Sequence, residues 1–166
     1  MSWKRFIRPA IFFVGSVALA VAFFPQIVDV NPSLPNATEV SSTDRRFMTV
    51  YIAGRPFELE ISETASEIQQ GLSDRDEVSA DGMIFVLPIR STPRFWMKNM
   101  RFDLDFVWVD RGRVVGIVEQ VKAPPPETPD SMLDVVSPSG MVSHVIELPA
   151  GTIQREGLQI GDAVEF

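Results

Sequence analysis

Phe95-Trp96-Met97-Lys98-Asn99-Met100-Arg101-Phe102-Asp103-Leu104-Asp105-Phe106-Val107-Trp108-Val109-Asp110 is the stretch on which the fold turns. Side chains of a strand alternate between two faces. Leu104, Phe106 and Trp108 therefore share one face, and Asp103, Asp105, Val107 and Val109 share the other. The pattern is that of a buried aromatic strand. Lys98 and Asn99 fall at the bend before it. A lysine, an amide and two carboxylates thus come to one neighbourhood, the first place to look for a function.

After this strand, Asp110-Arg111-Gly112-Arg113 reads as a tight hairpin turn into a partner, Val114 to Val121. Before it, Gly82 to Leu87 is a compact apolar run ended by Pro88, suited to a strand buried on both faces. Pro93 opens the strand that carries Phe95 and Trp96. Further upstream, Phe47 to Ala53 and Phe57 to Ile61 flank Gly54-Arg55-Pro56 as a hairpin. Thr64-Ala65-Ser66-Glu67 fits the capping box of a short helix, which Gly71 stops. Arg75, in the charged loop after that helix, is expected to anchor the loop on a carboxylate.

Downstream, Pro124, Pro125, Pro126, Pro129 and Pro138 exclude regular ladder pairing through most of 122–139. That connection is either a lid over the aromatic strand or surface slack. His144 to Leu148 forms another strand, Thr152 to Glu156 a helical turn, and Ala163 to Phe166 the last strand. Many short strands with one or two short helices predict a mainly β class, a β-rich α+β chain. Its architecture is a single compact sandwich or partly open barrel.

Composition narrows the function. Net charge is −7, which argues against nucleic acid as a partner. With no cysteine there is no disulfide, thiolate nucleophile or cysteine-metal site. Lys4, Arg5 and Arg8 precede an apolar run from Pro9 to Phe24. A basic start before an apolar run marks export. Residues 1–25 read as a membrane anchor or a signal cleaved at Ala18-Leu19-Ala20 or Ala20-Val21-Ala22. Either places the remaining chain outside the cytoplasm, periplasmic or on the cell surface. Residues 26–44, rich in proline, asparagine and serine, read as a tether, and the folded domain is 45–166. The bases Lys4, Arg5 and Arg8 balance the acids Asp29, Glu39 and Asp44, so the domain carries the whole net charge of −7.

These residues also carry a family likeness. Gly71-Leu72 with Arg75, Gly82-Met83-Ile84-Phe85 and Phe95-Trp96-Met97-Lys98-Asn99 come in order. Leu104-Asp105, Val109-Asp110…Gly112, Val145-Ile146-Glu147-Leu148…Ala150-Gly151 and Gly161-Asp162 come after them. Over Phe57 to Phe166 the chain resembles the DUF192 family, a domain of unknown function often found behind a signal or anchor. The resemblance implies a compact β-rich fold and no particular reaction or cofactor. Asp103 stands where the family usually has proline, and His144 where it often has an aromatic.

The candidate ligand-binding residues are Trp96, Lys98, Asn99 and Asp105. Lys98 offers a point charge and Asn99 an amide to an anionic group, with Asp105 orienting Lys98. Against this, a lysine stem can cover an aromatic face, asparagine suits a left-handed turn, and Asp105 can pair with Lys98 or accept backbone N–H groups. Trp96 and Trp108 fall on adjacent strands of one hairpin-like unit and, flanked by apolar residues, read as core. His144, the sole histidine, reads as a core or rim residue. No Gly-x-Ser-x-Gly elbow or phosphate loop is present. No catalytic residue, metal or cofactor is expected, and binding of a small polar or anionic ligand is favoured over catalysis. The alternatives are a cell-envelope hydrolase with Asp105 as base and a module that docks on an envelope protein.

Overall fold

The computed structural model describes residues 45–166, so the anchor or signal and the tether lie outside the described residues. In chain order the elements are β1 (Phe47–Ile52), β2 (Arg55–Ser62), α1 (Ala65–Gln70), β3 (Gly82–Ser91) and β4 (Phe95–Trp96). Next come β5 (Leu104–Asp110), β6 (Arg113–Val121), a 3-10 turn (Asp130–Met132) and β7 (Val135–Val136). The chain ends with β8 (Val142–Pro149), α2 (Thr152–Glu156) and β9 (Val164–Glu165). Seven strands form one sheet in the order β6-β5-β8-β3-β2-β1-β9, and β4 and β7 pair separately. All pairs of the large sheet are antiparallel except β2 with β3.

The two edges of the sheet approach each other at one end. Arg113, at the start of β6, bridges Ala163 just before β9, and Val164 N–H donates to Gly112 C=O at 2.9 Å. The sheet is therefore a partly open barrel. Its interior gathers Val50, Leu59, Ile84, Val107, Ile146 and Val164, with Ile153 of α2 and Leu158 closing one end. The outer face of the same strands carries Met83, Phe85, Phe106, Trp108 and Val145. There Leu72, Met97 and Met100 cover it. This second layer explains why β5 is buried on both faces and why its one-side aromatic, other-side valine pattern is read so directly from the sequence.

Local chemistry sets the element ends. The Thr64 side chain accepts from Glu67 N–H, and the Glu67 carboxylate accepts from Thr64 N–H at 2.9 Å. These backbone donors, Thr64 then Glu63, hold Glu67 down to about 2. Gly71 stops α1 at φ +49°, ψ −130°, which is not the left-handed cap but is still a region for glycine.

Three expectations need correction. Strand β3 does not end at Pro88 but runs on to Ser91. Its pairing with β2 stops at Phe85, and its register against β8 shifts between Val86 and Ser91, so Pro88 meets no obligatory ladder donor. Trp96 and Trp108 are not on paired strands, since β4 pairs with β7. Nor is Trp96 core: in a two-residue strand with Phe95 turned inward, Trp96 must turn outward, and it is 50% exposed against 1% for Trp108.

Candidate functional site

The four sequence candidates do not meet at one site. Asp105 is fully buried, on the face of β5 shared with Val107 and Val109. Opposite it β6 bulges, and Gln120 takes φ +53°. One Asp105 oxygen accepts the freed Gln120 N–H at 2.8 Å, and the other accepts Ile153 N–H at 2.9 Å. Ile153 lies in the first turn of α2, whose cap residue, Gly151, has no side chain to offer. Asp105 thus caps α2 from a neighbouring strand. It does not orient Lys98, because its oxygens are engaged inside the barrel. Asp105→Asn turns an NH₂ towards one of these donors and should cost about 1–3 kcal/mol in urea unfolding, with the fold retained.

Lys98 pairs instead with Asp130, Nζ to Oδ2 at 2.6 Å, and lies over the Trp96 ring at 5.3 Å from its centroid. Both partners are well exposed, so the pair is screened. Asn99 holds the left-handed turn at φ +55°. Its C=O accepts from Asp74 N–H at 3.0 Å and its Nδ2 donates to the Asp74 carboxylate at 3.2 Å. Lys98 and Asn99 line an open groove of about 440 Å³ with Arg101 and the prolines 124–126. The 122–139 connection is no slack loop, since its β7 pairs with β4. Both cations of the groove are already engaged, Lys98 by Asp130 and Arg101 by Asp76.

Trp96 stands at a different cavity of about 280 Å³, between α1 with its following turn and the segment from β3 to β4. Its walls include Leu72, Phe85, Phe95, Trp96 and Met100, with Arg94 also on the lining. Phe95 packs edge-on against Phe85, centroids 5.0 Å apart, and against Trp108 at 5.9 Å. Glu147 is the one carboxyl-bearing residue on this lining, which also includes Gln69, Gln70 and Ser73. Glu147 is 5% exposed, and no hydrogen bond reaches its carboxyl from any described residue.

The sheet register places it there. Glu60, Met83, Glu147 and Phe106 lie side by side across β2, β3, β8 and β5. The strands come this close because Gly82 has no side chain: a Cβ there would stand 2.3 Å from the Glu147 carbonyl. Arg75 reaches the same row and clasps Glu60 with two bonds, of 2.6 and 2.9 Å. Burial favours the neutral form of Glu60, but the hydrogen bonds and charge of Arg75 outweigh it and keep Glu60 below the usual carboxylate range. Glu147 has no such partner. Burial pushes it up to about 8, against a weaker pull from Arg75. Burial thus favours its protonated form, one O–H donor beside one acceptor.

Glu147 was missed in the sequence because Val145-Ile146-Glu147-Leu148 reads simply as a strand. A charged residue amid apolar neighbours on a strand buried on both faces was the available signal. The remaining polar residues are structural. His144 stacks on Phe166 and meets Ser143 Oγ at 2.9 Å through Nδ1, with burial holding its basicity down. Asp103, at the usual proline position, takes Lys122 and Ala123 N–H and is held down by both. Among the described residues no group of three or more His, Asp or Glu is placed to hold a metal.

The sequence profile of DUF192, an uncharacterized ACR family, matches residues 48–166. The chain belongs to the DUF192 family. Two solved structures share this DUF192 chain's fold. One, from Sinorhizobium meliloti 1021, is described as a suspected transcription regulator; it is 28% identical, TM-score 0.62, with 73% of this chain and 94% of that one covered. The other, a protein of unknown function from Novosphingobium aromaticivorans DSM 12444, is 27% identical, TM-score 0.62, over 72% and 85%. No curated protein matches the chain.

Proposed function

We propose that this DUF192 domain binds a small molecule outside the cytoplasm, in the cavity beneath Trp96. One observation carries the reading: Glu147, 5% exposed and with no hydrogen bond to its carboxyl from a described residue, lies on the lining of a cavity walled mostly by apolar side chains. A ligand that hydrogen-bonds this carboxyl away from water would supply a pairing that no described residue gives it. The cavity is at the small end for a ligand site. The extracytoplasmic setting rests on the basic and apolar segment 1–25 and the tether 26–44. No helix among the described residues is long and apolar enough to cross a membrane. A reporter active only outside the cytoplasm, fused after Phe166, tests the setting; activity only from a cytoplasmic reporter overturns it. Regulation of transcription, as described for the S. meliloti relative, is disfavoured by the net charge of −7.

A second reading, an anion held by Lys98 and Asn99 in the adjoining groove, requires that anion to displace Asp130 from a well-exposed, screened pair. A native mass spectrum of the 166-residue chain separates the two. An adduct lost on denaturation should disappear in Leu87→Trp, which fills the cavity, and persist in Lys98→Ala. The reverse pattern moves the site to the groove. A bare mass after gentle purification, with no small molecule recovered from the denatured protein, counts against binding at either place.

A further inference from the structure

Resting on the cavity as a ligand site, we propose that it recognises a carboxamide-type edge, a carbonyl oxygen beside an N–H on a small apolar body, through a two-bond pair with Glu147. The carboxyl takes no hydrogen bond from a described residue, and the lining it shares is mostly rings and aliphatic chains, with Gln69, Gln70, Ser73 and Arg94 among them. A primary amide or lactam offers both its oxygens a partner at once: its carbonyl accepts from the Glu147 O–H, and its N–H donates to the other oxygen. Its apolar body meets Leu72, Phe85, Phe95 and Trp96.

Charge argues for an uncharged ligand. The charged groups facing Glu147 are Arg75 from the loop after α1, Glu60 two strands away on β2, and Arg94 on the cavity lining. Arg75 and Glu60 neutralise each other. Arg94, also on the lining, adds positive charge that disfavours a cation there. The neighbouring strands β3 and β5 present Met83 and Phe106, which do not titrate. A cation would also require Glu147 to ionise in apolar surroundings. The protonated form, favoured by burial up to about 8, is the one that donates.

The test is calorimetric titration of the full chain with 2-phenylacetamide between pH 5.5 and 9.5, beside 2-phenylethylammonium and methyl phenylacetate. These pH limits bracket the value of about 8 for Glu147. The amide should bind best of the three. Its Kd should stay level in acid and rise about tenfold per pH unit once the carboxyl ionises. Glu147→Gln keeps a donor beside an acceptor and cannot ionise, so it should bind across the whole range. Glu147→Leu, checked for folding by circular dichroism, should weaken binding at least tenfold. Tighter binding of the ammonium at rising pH would overturn the amide assignment and make the cavity a cation site. Equal, pH-independent binding of all three would also overturn it, leaving a cavity that takes apolar bodies with Glu147 idle. If none binds wild type, and filling the cavity by Leu87→Trp removes no native adduct, the cavity itself fails as a ligand site.

Discussion

Glu147→Gln should flatten the stability of the domain between about pH 4.5 and 8, where the wild-type carboxyl alone removes roughly 5 kcal/mol. The unfolded chain ionises this group near 4.5, and the folded chain keeps its proton up to about 8. Between those values the folded state holds more protons, so raising the pH favours unfolding. The contribution is whole below the lower value and gone above the upper one. Glutamine has no proton to lose. His144 acts in the opposite sense below its ordinary 6.5, since burial holds it neutral while the unfolded chain protonates. The difference between the wild-type and Glu147→Gln curves, from urea unfolding at a series of pH values, removes that contribution. A difference that does not change with pH would mean that Glu147 is ionised in the folded protein at neutral pH, and both the buried acid and the donor role would fall.

Arg75→Leu should be the most destabilising single change near the cavity, at about 3–5 kcal/mol. It strips both short bonds from Glu60, a carboxylate 5% exposed, and leaves that charge only Ser79 and the longer 4.0 Å contact with Arg45. Removing both partners, Arg75→Leu with Glu60→Leu, should recover most of the loss, because an apolar pair needs no counter-charge. In the single variant Glu147 also loses the one charge that favours its ionisation, so its titration moves further up. Urea unfolding of the two single variants and the double variant gives the coupling directly. Additive losses would show that the Arg75–Glu60 pair is not what holds the loop to the sheet.

Several of these features are legible in the chain before folding. Thr64 and Glu67 form their capping box from residues three apart. Asn99 and Gly112 mark turns because their backbones must enter the left-handed region. Arg75 reads as a loop anchor on a carboxylate, and Glu60 is that carboxylate. Other features are not legible. Trp96 looks like core by its neighbours, and only the pairing of β4 with β7, distant in sequence, shows that it faces out. Lys98 has a nearby acid in sequence, Asp105, but finds Asp130 through the return of the proline-rich connection.

Local and periodic features were legible in the order of residues alone: strands of alternating character, the capped helix, the hairpin turns, the family and the acidic balance. Those depend on side chains within a few residues of one another, where spacing and backbone preference are sufficient. Folding in three dimensions settled that Asp105 caps α2 from β5, that Lys98 and Trp96 line different cavities, and that Glu147 has no hydrogen bond to its carboxyl from a described residue. Each of these is settled by which strands lie side by side and in what register. A carboxylate paired with an arginine, one that caps a helix and one left protonated are the same kind of letter in the sequence. Their chemistry differs because the sheet gives Glu60 an arginine and Asp105 two backbone donors, and gives Glu147 neither.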